Sequence, residues 1–359
     1  MKETSSSKNN GKHENLPLVM TKTEQLKQIF FSSLQRIANH KDWKQPSCII
    51  LSGGLDTCLI AEQGRDILSL QGAVTTIATS EATDAEWACR VAKKMGLKHH
   101  VVGKDLSQLL DDLPQLIRIL RCFDPMELRN SLATFAALKT AASLGYSSCI
   151  TGDGADELFG GYSFTHRLSE EEFVKHRDAM IDHMRFSSFP MGKSLGISVF
   201  SPYLDPAMIA FAKSLTKKEN IGEKYIHGKA QIFGKLLLRE AFPHVTSCWR
   251  NKEPIEVGSG TAALGNGYFE QLVDDSSFAR QVDEIWKHEG VYIRTKEHLW
   301  YYRIFQQQLE HFVVPLCRKD GETHKDGIFC PYCGYLLTLP TFCVTCGAYD
   351  KNLTAQQPK

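Results

Sequence analysis

The sequence predicts an α/β protein with a doubly wound parallel sheet, an α-helical second half and a small C-terminal cysteine-rich ribbon. Short apolar segments alternate with amphipathic helices over about residues 45–165, and this alternation favours parallel strands joined by helical crossovers. Two of the segments run directly into glycine-rich loops, as strands do where a doubly wound sheet binds its ligand. Near the C-terminus, four cysteines form two CxxC pairs, a spacing typical of a structural metal site.

The predicted elements follow in order along the chain. Apolar residues at helical spacing predict a first helix over 24–38, and Pro46 ends the connection to a buried strand. The later elements are a strand over 48–51, a helix from about 57, an apolar segment over 73–79, a helix over 84–95 closed by Gly96, a short strand over 99–102, an Ala-rich helix over 130–144 ended by Gly145, and a strand over 148–151. Residues 169–312 are mostly helical with Pro and Gly interruptions, so we expect an α-rich half packed on the sheet.

These elements predict the division of the chain into domains. We expect a disordered lead-in over 1–20 and a main domain over 21–316, whose α/β part covers about 45–165 and whose helical part covers about 166–316. A ribbon over 317–350 and a tail over 351–359 complete the chain. The start of the chain lacks the apolar core of a signal peptide.

Composition narrows the function classes. The 359 residues are 42% hydrophobic and carry a formal net charge of +1, so the whole molecule has no general bias toward nucleic acid or membrane. No apolar stretch reaches the length needed to span a bilayer. Five of the eleven cysteines, Cys48, Cys58, Cys89, Cys122 and Cys149, stand singly among apolar residues, as buried free thiols do. We therefore expect a cytoplasmic protein in a reducing compartment.

The first glycine-rich loop has the sequence LSGGLDTC and follows the apolar run CII. Adjacent Gly53 and Gly54 let backbone N–H groups face an anion, and Ser52 and Thr57 add hydroxyl donors at the start of a helix. Asp56 is out of place beside an anion unless Mg²⁺ lies between them. The loop therefore predicts a site for a nucleotide phosphate with a metal ion. An ordinary strand-to-helix connection is the alternative.

The second loop, ITGDGADELFGGY, follows the strand over 148–151 and concentrates negative charge. It carries Asp153, Asp156 and Glu157 within five residues, and these carboxylates would repel one another unless a cation or a metal–phosphate complex shares the site. An acidic loop that binds Ca²⁺ or caps a helix is the alternative. Because both loops follow strands of one predicted sheet, we expect them to form one site.

Together, the two loops resemble known motifs. The first is similar to the SGGxD[ST] loop of the PP-loop (HUP-like) ATP pyrophosphatases, which cleave ATP between the α- and β-phosphates. TGDGADELFGGY resembles a segment of asparagine synthetases and their β-lactam-forming relatives. In the same order follow KLLLREAF at 235–242 and RNKE at 250–253, similar to the K-x-x-L-R-x-x-F and R-x-K-E segments of that family. The resemblance spans about residues 24–315.

The resemblance implies ATP and Mg²⁺ as cofactors and assigns a role to individual residues. Adenosine would be held by Leu51, Ile77, Thr151 and Gly152, and the β- and γ-phosphates by Ser52, Gly53, Gly54 and Thr57. Mg²⁺ would be bound by Asp56 and Asp156. Asp153 would take part in forming or using the acyl-adenylate, and Lys252 and Lys235 would neutralise charge on the α-phosphate and the departing pyrophosphate. A solvated surface lysine is the alternative for Lys252.

The implied reaction has two steps. A small-molecule carboxylic acid attacks the α-phosphate to give an acyl-adenylate and pyrophosphate, and ammonia or another amine then displaces AMP. In an asparagine synthetase the acid is aspartate. Family members that hydrolyse glutamine begin Met-Cys, whereas this chain begins Met-Lys. We therefore expect no glutaminase of its own, with ammonia taken up free or from a partner such as a separate amidotransferase subunit.

One segment departs from the family pattern. The sequence GISVFSPYLD at 196–205 aligns with G-x-E-x-R-x-P-[FY]-L-D, and Ser198 and Phe200 stand where Glu and Arg are expected. Loss of both charges predicts a remodelled substrate pocket and an acid other than aspartate as an alternative substrate.

The C-terminal cysteines form two CxxCG knuckles separated by nine residues, Cys330 with Cys333 and Cys343 with Cys346. This spacing predicts one tetrahedral Zn²⁺ in a zinc ribbon, and a redox dithiol is the alternative. The ribbon could act as a stabilising tail or as a docking module for RNA or protein, since the lysines and arginines around it make it mildly basic.

Three functions remain open from sequence. The leading hypothesis is an AMP-forming amide ligase of the asparagine synthetase type. The second is a PP-loop enzyme that adenylates a tRNA base and uses the ribbon to hold RNA. The third is a non-catalytic regulator that kept the nucleotide site and lost the substrate pocket.

Overall fold

The structure is a computed structural model that describes residues 20–226, 228–309, 328–339, 341–350 and 353. Nearly all of the predicted lead-in and tail, and the end of the helical half beyond 309, lie outside the described residues. So do Arg318, Lys319, Lys325 and Lys351, which made the surroundings of the ribbon basic.

The described residues form seven strands and a set of helices. The strands are β1 Ser47–Ile50, β2 Gly72–Ile77, β3 Lys98–Gly103, β4 Ser148–Ile150, β5 Ser198–Phe200, β6 Gly222–Ile226 and β7 Lys229–Phe233. The helices are α1 Lys22–Ala38, α2 Leu55–Leu68, α3 Asp84–Met95, α4 Leu106–Leu110, α5 Leu113–Leu120, α6 Pro125–Ser143, α7 Ala155–Phe159, α8 Glu170–His183, α9 Ser188–Leu195, α10 Pro206–Lys213, α11 Lys217–Asn220, α12 Leu236–Ala241, α13 Ile255–Ser259, α14 Asp275–Glu289 and α15 Lys296–Leu309.

A five-stranded, all-parallel sheet organises the first half, in the order β3-β2-β1-β4-β5. The chain moves outward from β1 through β2 to β3 and then returns to the other side of β1 as β4. This reversal leaves a crevice at the carboxyl ends of β1 and β4, where ligands bind in open parallel sheets. The predicted doubly wound parallel sheet is therefore confirmed.

Alternating side chains of the central strands enter two hydrophobic clusters, one on each face. Ile49 and Ile150 belong to the cluster that contains the buried residues of α1, α2 and α12. Cys48 and Cys149 belong to the cluster formed with α5, α6, α15 and the four-cysteine ribbon. Both faces are thus covered, as a parallel sheet requires.

Several elements differ from the sequence prediction. The helix expected from 130 begins at Pro125, because Asp124 accepts a hydrogen bond from the Met126 N–H at 3.1 Å and proline fits the first helical position. Strand β5 and the antiparallel hairpin of β6 and β7 lie in the half predicted to be mostly helical. The hairpin was missed because its strands, GEKYI and KAQIF, do not alternate strictly between polar and apolar residues.

Candidate functional site

The first glycine-rich loop connects β1 to α2, and its hydroxyl groups hold its shape. Ser52 Oγ lies 3.2 Å from Thr57 Oγ1 and accepts from the Gly54 N–H at 3.3 Å. Gly54 is the residue preceding α2, so the positive end of the helix dipole faces the loop. A Cβ at Gly53 would lie 2.5 Å from Cβ of Trp87, so this position faces α3.

The second loop connects β4 to α7 and touches the first. A Cβ at Gly152 would lie 3.0 Å from Asp56 Cβ and 3.1 Å from Thr57 Cγ2, so glycine is what lets the two loops approach. The contact follows from the parallel pairing of β1 with β4. It brings the two acidic positions of the loops, Asp56 and Asp156, to the same cation.

That cation is the ammonium group of Lys235, which is only 3% exposed. Its Nζ lies 2.5 Å from Asp56 Oδ2 and 2.8 Å from Asp156 Oδ1. A second ammonium, on Lys252, lies 2.5 Å from Asp156 Oδ2. Two carboxylates and two ammonium groups therefore form one charge-balanced cluster that lines the cavity.

The cluster shifts the pKa values of its members. Burial acts to raise the pKa of Asp156, but Lys235 and Lys252 outweigh it and hold that pKa well below its usual range. Burial likewise acts to lower the pKa of Lys252, but the carboxylates of Asp156 and Asp56 raise it. The carboxylate and the ammonium are therefore both charged at neutral pH. Glu157 differs, because burial raises its pKa while its Oε1 accepts from the Tyr162 hydroxyl at 2.6 Å.

The carboxylates also fit a metal ion. Asp56 Oδ1 is buried and has no hydrogen-bond partner within the described part of the chain, and an unpaired buried oxygen of a carboxylate is costly unless a cation meets it. Aspartate oxygens are the protein ligands that Mg²⁺ prefers. Asp56 and Asp156 are therefore the residues that would hold it.

A cavity of about 840 Å³ opens over the ends of β1, β2 and β4. Most residues singled out from sequence line it: Leu51, Ser52, Gly54, Asp56, Thr57, Thr151, Gly152, Asp153, Asp156, Lys235 and Lys252. Two do not. Gly53 faces α3, and Ile77 gives its carbonyl to the Lys104 N–H. On β2, Thr75 and Thr76 line the cavity instead.

Asp153 also lines the cavity, and two hydroxyl groups hold its carboxyl group. Its Oδ2 accepts hydrogen bonds from the hydroxyls of Thr151 at 2.7 Å and Ser188 at 2.5 Å. Burial raises the pKa of Asp153, the two hydroxyls offset part of the rise, and nearby Glu127 adds to it. The carboxyl group is therefore poised to gain or hold a proton more readily than an exposed aspartate.

Sequence reasoning missed the wall that α6 forms beside Asp153. Glu127, Asn130, Ser131 and Thr134 line the cavity from this helix. Glu127 Oε1 accepts from the hydroxyls of Ser131 and of Ser187, the residue preceding α9. The available signal was the polar spacing 127, 130, 131, 134 along one face of an otherwise Ala-rich helix.

Arg250 and Asp84 were also missed as a pair. Arg250 donates to the Ser52 carbonyl at 3.3 Å and to Asp84 Oδ1 at 3.1 Å. Burial raises the pKa of Asp84 to about 6, although Arg250 opposes the shift. The arginine thus ties the first loop to the start of α3 and to the RNKE segment that carries Lys252.

Ser198 and Phe200 lie on β5 and do not belong to the cavity lining. The Phe200 ring packs edge-on against Trp43 and His40, at centroid distances of 5.4 and 5.2 Å. That loss of charge at these two positions remodels the substrate pocket stays a prediction. The polar residues beside Asp153 in the cavity lining come from α6 and the start of α9.

The four cysteines of the ribbon meet at one point. Their sulfurs all lie within 4.8 Å of one another, with Cys330 3.8 Å from Cys346 and Cys333 3.6 Å from Cys343. Tetrahedral zinc with Zn–S bonds of about 2.3 Å requires sulfurs about 3.8 Å apart. The four cysteines thus fit a metal ion.

Comparisons with known proteins identify the domain. Residues 35–190 match the family model described as asparagine synthase. The chain is 26% identical over 285 residues to asparagine synthetase [glutamine-hydrolyzing] 1 of Arabidopsis thaliana, across 73% of this chain and 48% of that protein. It is 26% identical over 265 residues to a probable asparagine synthetase [glutamine-hydrolyzing] of Dictyostelium discoideum, across 66% and 47%. An NH3-dependent NAD synthetase structure from Campylobacter jejuni aligns at 15% identity over 75% of this chain and 95% of that one, with a TM-score of 0.28.

Fold and site together define a doubly wound α/β protein with its candidate site at the ends of the two central strands. Within that class, residues 35–190 match the asparagine synthase family model and the chain is similar to curated asparagine synthetases, in agreement with the resemblance seen in the sequence. The chain spans about half the length of the curated relatives it matches. Among the described helices, none has the length and apolar character that crossing a bilayer requires.

Proposed function

We propose that this chain is an ATP-dependent, AMP-forming amide ligase of the PP-loop type, acting in the cytoplasm. The observation that carries the proposal is the convergence of Asp56, Asp156, Lys235 and Lys252 where two glycine-rich loops meet. This combination offers backbone N–H groups and ammonium groups to phosphates and carboxylates to Mg²⁺. The match of residues 35–190 to the asparagine synthase family model, and the similarity to curated asparagine synthetases, support the same reaction class.

The residues divide into a nucleotide side and an acyl side. On the nucleotide side, Ser52, Gly54 and Thr57 would hold the β- and γ-phosphates, and Leu51 and Thr151 would flank the adenosine. Bound Mg²⁺ would neutralise phosphate charge and make pyrophosphate a better leaving group. Burial and fixed orientation make such charge–charge contacts effective in the transition state.

The two lysines have different parts in this scheme. Lys252 has 35% of its side chain exposed, so it can turn toward charge that builds on the α-phosphate. Lys235, almost fully buried between two carboxylates, holds the metal-binding acids in place. We therefore assign electrostatic catalysis to Lys252 and positioning to Lys235.

On the acyl side, Asp153 is the candidate catalytic acid–base group. Its raised pKa and its hydrogen bonds from Thr151 and Ser188 keep one oriented carboxyl group beside the wall formed by α6. A group of this kind can accept a proton from the incoming amine as AMP leaves. We propose aspartate as the acid and ammonia as the amine, with a different acid as the alternative.

An ATP–pyrophosphate exchange assay tests this function. Exchange that depends on aspartate supports the asparagine synthetase reaction, and exchange with another acid supports an amide ligase of different specificity. Exchange that requires tRNA instead would favour the tRNA-modifying enzyme, and ATP binding without exchange in any mixture would favour the regulator.

Matched substitutions test the site. We expect Asp56→Ala and Asp156→Ala to abolish exchange, because each removes a carboxylate that would bind Mg²⁺. Asp66→Ala is the control, since this aspartate also lies on α2 but has 85% of its side chain exposed. Equal loss in the control and in the site variants would contradict the assignment.

For the four-cysteine cluster we propose structural Zn²⁺. Cys330→Ser is expected to remove most of the zinc measured by elemental analysis, because it removes one of four thiolate ligands. Unchanged zinc content in that variant would contradict the four-thiolate site.

A further inference from the structure

The ribbon is docked on the catalytic half through its second knuckle. The Phe123 N–H donates to the Thr345 carbonyl at 2.7 Å. Arg294, two residues before α15, donates to the Gly347 carbonyl at 2.8 Å and to the Cys346 carbonyl at 2.5 Å. These bonds join the metal-binding loop to the residues just before α6 and just before α15.

Apolar packing accompanies these bonds. Phe123 is fully buried and contacts the rings of Tyr302 and Phe305 on α15, at centroid distances of 4.9 and 4.8 Å. Tyr335 of the first knuckle lies edge-on to Phe305 at 5.7 Å. The ribbon therefore shares one hydrophobic cluster with α6 and α15.

The contact is closest at the residue that caps α6. Gly347 has a positive φ of 71°, and a Cβ there would lie 2.2 Å from Asp124 Oδ1. Asp124 in turn accepts the hydrogen bond from Met126 N–H that starts the helix. The metal-binding loop thus lies directly against the N-cap of α6.

From this cap, the first turn of α6 and two further hydrogen bonds lead to the acyl side of the site. Glu127 lies three residues further along α6, about 4.5 Å in rise, and lines the cavity. Its carboxylate accepts from Ser187, and the next residue, Ser188, donates to Asp153. Only one helical turn therefore separates the ribbon from the wall of the cavity.

We infer that the metal-bound ribbon fixes the first turn of α6 and thereby positions the acyl wall of the site, that is, the polar side chains of α6 that line the cavity beside Asp153. The inference rests on the proposed metal site and is independent of which acid is the substrate. Tetrahedral coordination orders a small loop that lacks a core of its own. The ordered carbonyls of Thr345, Cys346 and Gly347 then hold the segment that precedes α6.

Hydrogen exchange measured on the full chain tests the inference without reference to activity. We expect Arg294→Ala to retain zinc but to speed amide exchange in peptides covering 122–131 by about tenfold, since it removes two charge-assisted hydrogen bonds. Peptides covering 52–60, in the phosphate loop, should keep their protection. Arg280→Ala, an exposed arginine on α14, is the matched control and should change neither region.

Zinc removal should have the same regional effect. Cys343→Ser is expected to lose zinc and to speed exchange over 122–131 more than Arg294→Ala does. Unchanged protection over 122–131 in zinc-depleted protein, or an equal increase over 52–60, would overturn the inference. If Cys343→Ser does not fold, Arg294→Ala decides the question alone.

A kinetic measurement separates positioning from general damage. In the ATP–pyrophosphate exchange assay, Arg294→Ala should raise the KM for aspartate several-fold and leave the KM for ATP within about twofold. Arg294→Lys should partly restore the KM for aspartate. A parallel rise in both KM values would overturn the inference. If the unmodified protein shows no aspartate-dependent ATP–pyrophosphate exchange, only the proposed substrate is contradicted. The hydrogen-exchange measurement would still decide the role of the ribbon.

Discussion

Replacing Lys235 by Met is expected to weaken the fold far more than replacing Lys252 by Met. The Lys235 ammonium contacts Asp56 at 2.5 Å and Asp156 at 2.8 Å, and only 4% of the side chain is exposed. Methionine preserves much of the length and flexibility of lysine without its charge. The variant therefore leaves two buried carboxylates without this partner, and loss of one member of a buried ion pair costs about 3–5 kcal/mol.

Lys252 provides the matched control. Its ammonium group forms a salt bridge with Asp156 at 2.5 Å, and 35% of its side chain is exposed. Solvent screens such a pair, so the loss of unfolding free energy in Lys252→Met should be at most about 1 kcal/mol. The ATP–pyrophosphate exchange activity of Lys252→Met should nevertheless fall, because the proposed contribution of Lys252 is to stabilise the transition state.

Urea denaturation followed by tryptophan fluorescence measures the difference, and its pH dependence gives a second check. The pKa of Asp156 is lowered in the native protein, so its stabilising contribution is complete well above the usual pKa of aspartate, about 3.9, and is lost progressively as the pH falls from there toward the lower native pKa. The gap between the unmodified protein and Lys235→Met should thus be full at pH 7 and narrower near pH 3.5. Equal midpoints for the two lysine variants, or a gap independent of pH, would refute the reasoning.

Three further predictions concern the loops and their surroundings. Asp153→Asn should keep the fold but lower the rate of amide formation about 100-fold or more, as loss of a general acid–base group does; a rate within threefold of normal would remove this residue from the mechanism. The pKa of Asp84 is raised to about 6, so the folded state holds its proton longer than the unfolded state does, and stability should fall as the pH rises from about 4 to 6. Denaturation curves of Asp84→Asn should lack this part of the pH dependence, and an unaltered profile would contradict the shift. Gly152→Val would press on Asp56 from a Cβ position only 3.0 Å away, so ATP affinity measured by calorimetry should drop at least tenfold, and unchanged affinity would show that the loops separate freely.

The nucleotide side of the site was predictable because its signals are local. Each glycine-rich loop follows a strand within a few residues, and the parallel pairing of β1 with β4 then brings the two loops together. The partner of Asp56 was not predictable in the same way. Lys235 lies 179 residues further along the chain, and it reaches the carboxylate because α12 packs against α1 and α7 and the Lys235 N–H donates to the Phe159 carbonyl at 2.9 Å.

The acyl side shows a second limit. Glu127 and Asn130 lie on a helix whose other residues are mostly apolar or small, and helical periodicity alone does not say which face meets a cavity. The position of α9, which brings Ser187 to Glu127, depends on β5, a three-residue strand with no alternating pattern. Sequence therefore predicted the two loops that the structure brings together, and it missed the polar face of α6 that lines the same cavity.

The two faces of the sheet explain why these two sides should respond to different perturbations. The helices that carry the phosphate-side residues, α2 and α12, pack into the cluster shared with α1. The helices that border the acyl side, α6 and α9, pack into the cluster shared with α15 and the ribbon. Close-packed interiors transmit strain to the side chains that they contact. A change in the ribbon should therefore displace the acyl wall more than it displaces the phosphate loop. The C-terminal metal site would then affect the binding of the acid substrate without affecting the binding of ATP.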